Sequence, residues 1–257
     1  TLETDTEVFK GDRVVADGVE RELGDVTPIE VAGGLVSSID PFGDGSLVAK
    51  YEMENNVLDT TGVYTGTATA ITYGTGEFGQ AAVFGGSSNI ALPLIVVNTG
   101  ADFSVSCFIK PTSLTGFQLI VQNSNFGSSG YVGLYMTLNG STLEAGLTNG
   151  TVITKASIPA NEYSFITFTL SGTTTTLYYN GVLASTGTHT PVTGTYTNMF
   201  IGGGYSNGLY GFNGLIDQVE FYNRALTPTE VTALYTQIAY KYSADFNTPL
   251  ASIPTSV

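Results

Sequence analysis

Between residues 47 and 53, Leu47, Ala49, Tyr51 and Met53 alternate with Val48, Lys50 and Glu52. A period of two puts each set on its own side of a strand, so the run predicts a half-buried β-strand with the first set facing one way. Short apolar-alternating runs predict further strands at 64–72, 81–84, 90–92, 103–109, 118–122, 131–138, 142–147, 152–156, 164–171, 174–179, 182–187, 198–201 and 214–222. In the last run Leu215, Val219 and Phe221 fall mostly on one side, and Asp217 and Glu220 are expected to break the register near a rim. Asn180-Gly181 is the strongest hairpin signal, because both central positions of a type I′ turn take positive φ; Asn139-Gly140 and Asn149-Gly150 repeat the device.

The periodicity changes after Tyr222. Thr227-Pro228-Thr229-Glu230 supplies an N-cap hydroxyl, a proline at the first helical position and a glutamate three residues past the cap, which is a capping box. Val231, Leu234, Tyr235 and Ile238 then share one helical face, so a short helix is expected to dock as a lid. Successive hairpins at such spacing specify an all-β, antiparallel two-sheet jelly-roll sandwich with one short C-terminal helix and extended N- and C-terminal arms. The expected organisation is an acidic N-terminal arm at 1–45, a sandwich at 46–238 and a tail at 239–257. Pro41-Phe42-Gly43-Asp44-Gly45-Ser46 is turn chemistry and marks the first boundary. Within the arm, Val14-Val15, 26–31 and 35–36 are apolar enough for short extended pieces, but no periodicity supports an independent core.

Charge narrows the function classes. The 257 residues carry a formal net charge of −14 with only 8 Lys plus Arg, which argues against a nucleic-acid binder and disfavours an anionic membrane surface. The arm holds eleven of the 22 acidic residues, so it reads either as a solvated tail or as a segment that orders against a partner subunit. Cys107 is the one cysteine, so no intrachain disulfide can form, and it reads as a small buried hydrophobe. His189 is the one histidine, which removes His clusters and Ser-His-Asp arrangements. No signal peptide or membrane-spanning run is apparent, so membrane insertion is not expected and the chain is read as mature, exported by another route or delivered in a particle.

Four stretches carry a family resemblance: 76–93 (GEFGQAAVFGGSSNIALP), 101–113 (ADFSVSCFIKPTS), 165–186 (FITFTLSGTTTTLYYNGVLAST) and 214–235 (GLIDQVEFYNRALTPTEVTALY). Together with the strand from Leu47 they resemble the laminin G-like jelly rolls of the concanavalin A-like lectin/glucanase superfamily, in order, over about 46–238. Where the family pattern has tryptophan, this chain has Cys107-Phe108 and 163–165, which are core substitutions. Several related jelly rolls hold a structural calcium between first and last strands, and that resemblance maps a Ca2+ site onto Asp59 and Asp217. Glu3-Thr4-Asp5-Thr6-Glu7 matches the Glu-x-Asp-x-Glu pattern of glucanases in this superfamily. Retaining hydrolysis needs carboxylates about 5 to 5.5 Å apart. Here the motif precedes the first sandwich strand by some forty residues, and threonines stand where buried aliphatics belong, so the expectation is a non-enzyme.

Sugar sites need planar apolar faces ringed by amides and carboxylates. The loops at 123–131 and 205–213 offer both, making Asn125, Tyr131, Tyr205, Asn207, Tyr210 and Asn213 the expected ligand-binding residues. The absence of Trp weakens any strong stacking platform. The expected protein is a non-enzymatic bacteriophage virion-surface component that is anchored to other subunits by its arm, homo-oligomeric, and a candidate to bind glycans through its sandwich. A secreted or cell-surface lectin module is the first alternative and a glucanase the second.

Overall fold

The computed structural model describes residues 13–16, 19–22, 39–93, 101–123, 133–147, 150–190, 199–203 and 210–242, with side chains described between 39 and 236. By contacts the chain divides into Thr1–Ser37 and Ser38–Val257. In the first unit β1 (Arg13–Ala16) and β2 (Val19–Glu22) pair antiparallel, with Val14 opposite Arg21. The extended piece expected at Val14-Val15 is therefore half of a hairpin. The pieces expected at 26–31 and 35–36, the Glu3-Asp5-Glu7 motif and, of the tail expected at 239–257, the residues from 243 lie outside the described residues; 239–242 instead continue the C-terminal helix.

The second unit contains β3 (Leu47–Tyr51), β4 (Thr67–Thr69), β5 (Thr72–Thr75), β6 (Gln80–Gly85), β7 (Asn89–Leu92), β8 (Phe103–Pro111), β9 (Phe117–Gln122) and β10 (Leu134–Asn139). It continues with β11 (Thr142–Leu147), β12 (Ile153–Lys155), β13 (Ser164–Ser171), β14 (Thr174–Tyr179), β15 (Val182–Thr188), β16 (Met199–Ile201), β17 (Asn213–Tyr222) and α1 (Pro228–Tyr242). One sheet has seven strands in the order β12-β11-β10-β9-β16-β7-β4. The other has eight, β15-β14-β13-β8-β17-β6-β5, with β3 pairing the second half of β17. All named pairings are antiparallel, as the hairpin spacing required. Asn180 and Gly181 both take positive φ between β14 and β15.

Between the sheets lies one apolar core, to which β8 contributes Val105, Cys107 and Ile109, β10 Leu134, Met136 and Leu138, and β13 Ile166, Phe168 and Leu170. These positions alternate along each strand, which is why period two was visible in the sequence. β17 departs from the expectation. Gln218 takes φ of +49° and the register with β8 shifts between Asp217 and Glu220, so the core receives Ile216, Val219 and Phe221 while Leu215 is only half-buried. Asp217 and Glu220 are not near an exposed rim; they are 0% and 1% exposed. A smaller shift between Phe221 and Tyr222 sends Leu47 away from Ala49, Tyr51 and Met53, onto a second apolar cluster.

That second cluster covers the outer face of the eight-stranded sheet. Phe108, Phe165, Tyr178 and Tyr222 meet Leu226, Val231 and Leu234, and Tyr235 stacks on Phe165 with ring centroids 5.9 Å apart. The helix is thus the lid its apolar stripe predicted, with Ile238 beyond the described side chains. Its cap is the capping box: Thr227 N–H donates to Glu230 Oε2 at 2.7 Å and Glu230 N–H donates to Thr227 Oγ1 at 3.3 Å. Arg224 holds Glu230 through two 2.8 Å bonds, reaches Asp44 and lies over the Phe42 ring, tying the entry segment to the lid.

Candidate functional site

No described helix covers the outer face of the seven-stranded sheet; α1 lies against β15 and the apolar cluster of the other sheet. Register assembles that face from distant parts of the chain. Thr67, Ala91, Phe200, Gln122, Tyr135 and Gly146 are successive cross-strand partners, forming one row across β4, β7, β16, β9, β10 and β11. Leu119, Thr137, Glu144 and Thr154 form a second row, and Phe117, Asn139 and Thr142 a third. Because their strand neighbours Val121, Met136, Leu138, Leu143 and Ala145 point into the core, these rows point away from it.

Apart from Ala91, Gly146 and the buried Leu119, the rows are polar and aromatic. Tyr135 and Phe200 are half-buried, while Gln122 between them is fully buried with neither amide atom hydrogen-bonded. In the next row Thr137 Oγ1 is also buried without a partner. An unpaired buried amide or hydroxyl costs about 1–3 kcal/mol, and the described residues supply a partner for neither of these two groups. Tyr135 bends over Gly146: a Cβ there would come within 2.7 Å of its hydroxyl, so only glycine leaves the ring its place. Burial pushes the Tyr135 phenol above its ordinary pKa, and Glu144 adds to the shift. Asn139 donates its side-chain amide to Glu144 at 3.1 Å, and Phe117 meets Tyr210 edge-on at 5.4 Å.

Of the six residues expected to bind ligand, Tyr210 is 51% exposed and joins this face through Phe117. The Leu119 N–H bond to Tyr210 C=O, 2.7 Å, fixes it beside β9. Asn213 begins β17; its N–H donates to Gln118 Oε1 at 2.8 Å and its side chain lies over Gly86. Asn125, Tyr131, Tyr205 and Asn207 lie outside the described residues. Asn123 brackets the start of the 124–132 connection by accepting the Leu134 N–H at 2.6 Å. Phe117, Gln122, Tyr135, Thr137, Asn139, Glu144 and Phe200 were not singled out from the sequence as ligand-binding residues.

The two carboxylates expected to hold calcium occupy different settings. Asp59 is saturated: it accepts backbone N–H groups of Lys50, Thr61, Val63 and Tyr64 and the Thr61 hydroxyl. These bonds hold its pKa below the ordinary value despite burial, and its role is to organise the loop after β3. Asp217 Oδ2 accepts the Phe78 N–H at 3.0 Å, but Oδ1 is buried without a hydrogen bond. Burial pushes its pKa up to about 7, Glu54 adding to the rise and backbone N–H groups opposing it. The turn Gly76-Glu77-Phe78-Gly79-Gln80 wraps both acids: Glu54 accepts the Gln80 N–H with both oxygens, and a Cβ at Gly76 would sit 2.7 Å from Asp217 Oδ2. Asp217 and Glu54 thus share the 76–80 turn, and Asp59 shares none of their hydrogen-bond partners. Among the described residues no three His, Cys, Asp or Glu side chains converge as a metal cluster.

Cys107 is buried in the core and its thiol pKa is pushed up by that burial, as a small hydrophobe requires. His189 is likewise buried, and its backbone bridges to Gly150. Among the described residues no helix is long and apolar enough to cross a membrane.

Two stacked antiparallel sheets, one lidded and one presenting a polar-aromatic face, define a lectin-type jelly roll. The chain belongs to the concanavalin A-like lectin/glucanases superfamily: residues 84–232 match its Laminin_G_3 family model. No curated protein matches the chain. Among solved structures it is similar to domain 4 of AbnA, a GH43 extracellular arabinanase from Geobacillus stearothermophilus, in complex with arabinotriose. The identity is 27%, the TM-score 0.61, and 74% of this chain and 98% of that one are covered. The binding domain of botulinum neurotoxin DC in complex with SialylT gives 16% identity and a TM-score of 0.59 over 76% of this chain and 52% of that one. Trypanosoma rangeli sialidase, bound to 2,3-difluorosialic acid, gives 14% and 0.62 over 77% and 34%. At those identities the last two speak for the fold alone, and this chain spans about half and a third of their lengths.

Proposed function

We propose that the protein is a carbohydrate-binding module that acts by binding and not by catalysis, with its ligand seated on the outer face of the seven-stranded sheet. The observation that carries this reading is the row Phe200-Gln122-Tyr135-Gly146, where a buried, unpaired amide lies between two half-buried aromatic rings. Rings supply apolar planes for a sugar, and amide, hydroxyl and carboxylate groups fix its orientation. Support comes from the 27% identical arabinanase domain, which was captured with arabinotriose. Arabinotriose is therefore the first probe. In titration calorimetry against a panel of oligosaccharides, Tyr135→Ala is expected to weaken binding at least tenfold; undiminished affinity in that variant removes the site from this face.

A cation completes the proposal. Asp217 and Glu54 would hold it and Asp59 would not, and it would supply the positive charge that lets Asp217 ionise while buried. Display outside a cell, in a secreted or surface setting, accords with glycan binding. A virion-surface setting is the second reading, favoured by the charge break near residue 45 and by the separate contact unit at Thr1–Ser37. Deleting residues 1–40 should abolish incorporation into a particle and leave the sandwich folded; normal incorporation removes the anchor.

A further inference from the structure

The charges of the sandwich narrow the ligand further. Between residues 46 and 238 the sequence has four cationic side chains, Lys50, Lys110, Lys155 and Arg224. Each is engaged away from the candidate face. Lys50 pairs with Glu220 at 3.0 Å and with Glu52 at 3.6 Å on the other sheet. Lys110 lies over the Tyr163 ring, and Arg224 is shared between Asp44 and Glu230. Lys155 is on β12, but its register partner is the core-facing Leu143, and its ammonium lies over the Tyr179 ring of β14 and donates to the Ala156 carbonyl. The connecting segments 94–100, 124–132, 148–149, 191–198 and 204–209 contain no Asp, Glu, Lys or Arg at all. In the three rows the charged group is the carboxylate of Glu144, steered by Asn139.

An acidic sugar needs a cation or a cluster of donors to replace the water stripped from its carboxylate or sulfate. This face offers a carboxylate in its place, on a chain whose net charge is −14. We infer that the ligand is a neutral saccharide, its ring faces laid on Tyr135 and Phe200 and its hydroxyls meeting Glu144 and Asn139, and that sialylated, uronate or sulfated glycans are rejected. This rests on the glycan-binding reading above.

Matched pairs of glycans separate the two. Neutral oligosaccharides, arabinotriose and lactose among them, are arrayed beside acid-capped counterparts such as 3′-sialyllactose and sulfated lactose, and affinities are measured at 20 and 300 mM NaCl. Neutral members should bind, each acidic cap should weaken binding at least tenfold, and the penalty should shrink at the higher salt. Glu144→Gln should raise the acidic-to-neutral affinity ratio several-fold, a ratio that a purely structural role for Glu144 would not move. An acidic glycan that binds more tightly than its neutral parent overturns the inference while leaving glycan binding intact. Binding to neither class removes the glycan-binding reading and this inference with it.

Discussion

The two outer faces of the sandwich are built from the same alternating strands and meet opposite fates. On the eight-stranded sheet, outward Phe108, Phe165, Tyr178 and Tyr222 make an apolar patch that the chain itself covers with α1 and the Phe42 segment. On the seven-stranded sheet the equivalent outward positions are Gln122, Tyr135, Thr137, Glu144 and Phe200, and no described helix lies over them. An apolar face is satisfied by burial against the same chain, whereas a face of amide, hydroxyl and ring gains most from a partner that offers both apolar planes and hydroxyls. The lidded face thus supports stability, and the face over which no described helix lies is the candidate for recognition.

Breaking the covered face should cost most. Beneath it Lys50 Nζ and Glu220 Oε1 lie 3.0 Å apart, with 10% and 1% side-chain exposure, and the Tyr222 hydroxyl donates to the other Glu220 oxygen at 2.6 Å. Lys50→Met leaves a buried carboxylate without its cation, and urea unfolding should register a loss of about 3–5 kcal/mol. Replacing Glu220 as well, with Gln, should recover part of it. A double variant no better than the single one would show that packing, not charge, is what Lys50 provides.

Asp217 lies on the same face, beside Phe78 and Phe108. Its folded pKa of about 7 stands above the ordinary 3.8, so the folded chain keeps a proton that the unfolded chain releases. Stability from this group is therefore full below about pH 4, declines as pH rises towards 7 and is flat above, by a total on the order of 4 kcal/mol. Asp217→Asn should abolish that slope. Millimolar calcium should cancel the loss at pH 7 and above if Asp217 and Glu54 hold a cation; melting curves that superpose in calcium and in EDTA would exclude one.

Much of the contrast between the faces is legible in the sequence, but unevenly. Strand positions, the Asn180-Gly181 turn and the Thr227–Glu230 box are local signals, and each appears where local chemistry put it. Register is the part that local signals do not carry. Gln218 at φ +49° is a bulge in a non-glycine residue, with no signature in the sequence, and it turns Asp217 and Glu220 from expected rim residues into buried ones. The candidate row joins Gln122 to Phe200, 78 positions away, through a pairing of β9 with β16 that no local pattern encodes. One clue lies in the sequence: Gly146 interrupts an otherwise regular strand opposite Tyr135, and an interior strand glycine marks a close approach.

The face of the seven-stranded sheet makes the opposite prediction from the lidded one. Gln122→Leu removes a buried amide that has no partner and keeps its volume, so the variant should be more stable, by about 1–3 kcal/mol, while displacing the Tyr135 and Phe200 rings that flank it and so losing glycan affinity. Stability that rises as binding falls is what a recognition face should show. Thermal melting and calorimetry on the same preparation check both halves. If Gln122→Leu is destabilised, the amide has a structural task and the ligand must be sought elsewhere.

The mildest perturbation sharpens the comparison most cleanly. Thr227→Ala removes the hydroxyl that accepts the Glu230 N–H, and one lost cap should cost about 1 kcal/mol. Its direct effect falls on α1 and what the helix covers, because Arg224 still holds Glu230 through two bonds. Hydrogen exchange should therefore quicken in the helix and in β15, which the helix touches, and ANS should gain access to the Phe165–Tyr178 patch. Glycan affinity should not change, because β9, β10, β11 and β16 form the site on the opposite sheet. A drop in affinity with Thr227→Ala would mean that lid and ligand face are coupled through the core, and the division of labour between the two sheets would then have to be abandoned.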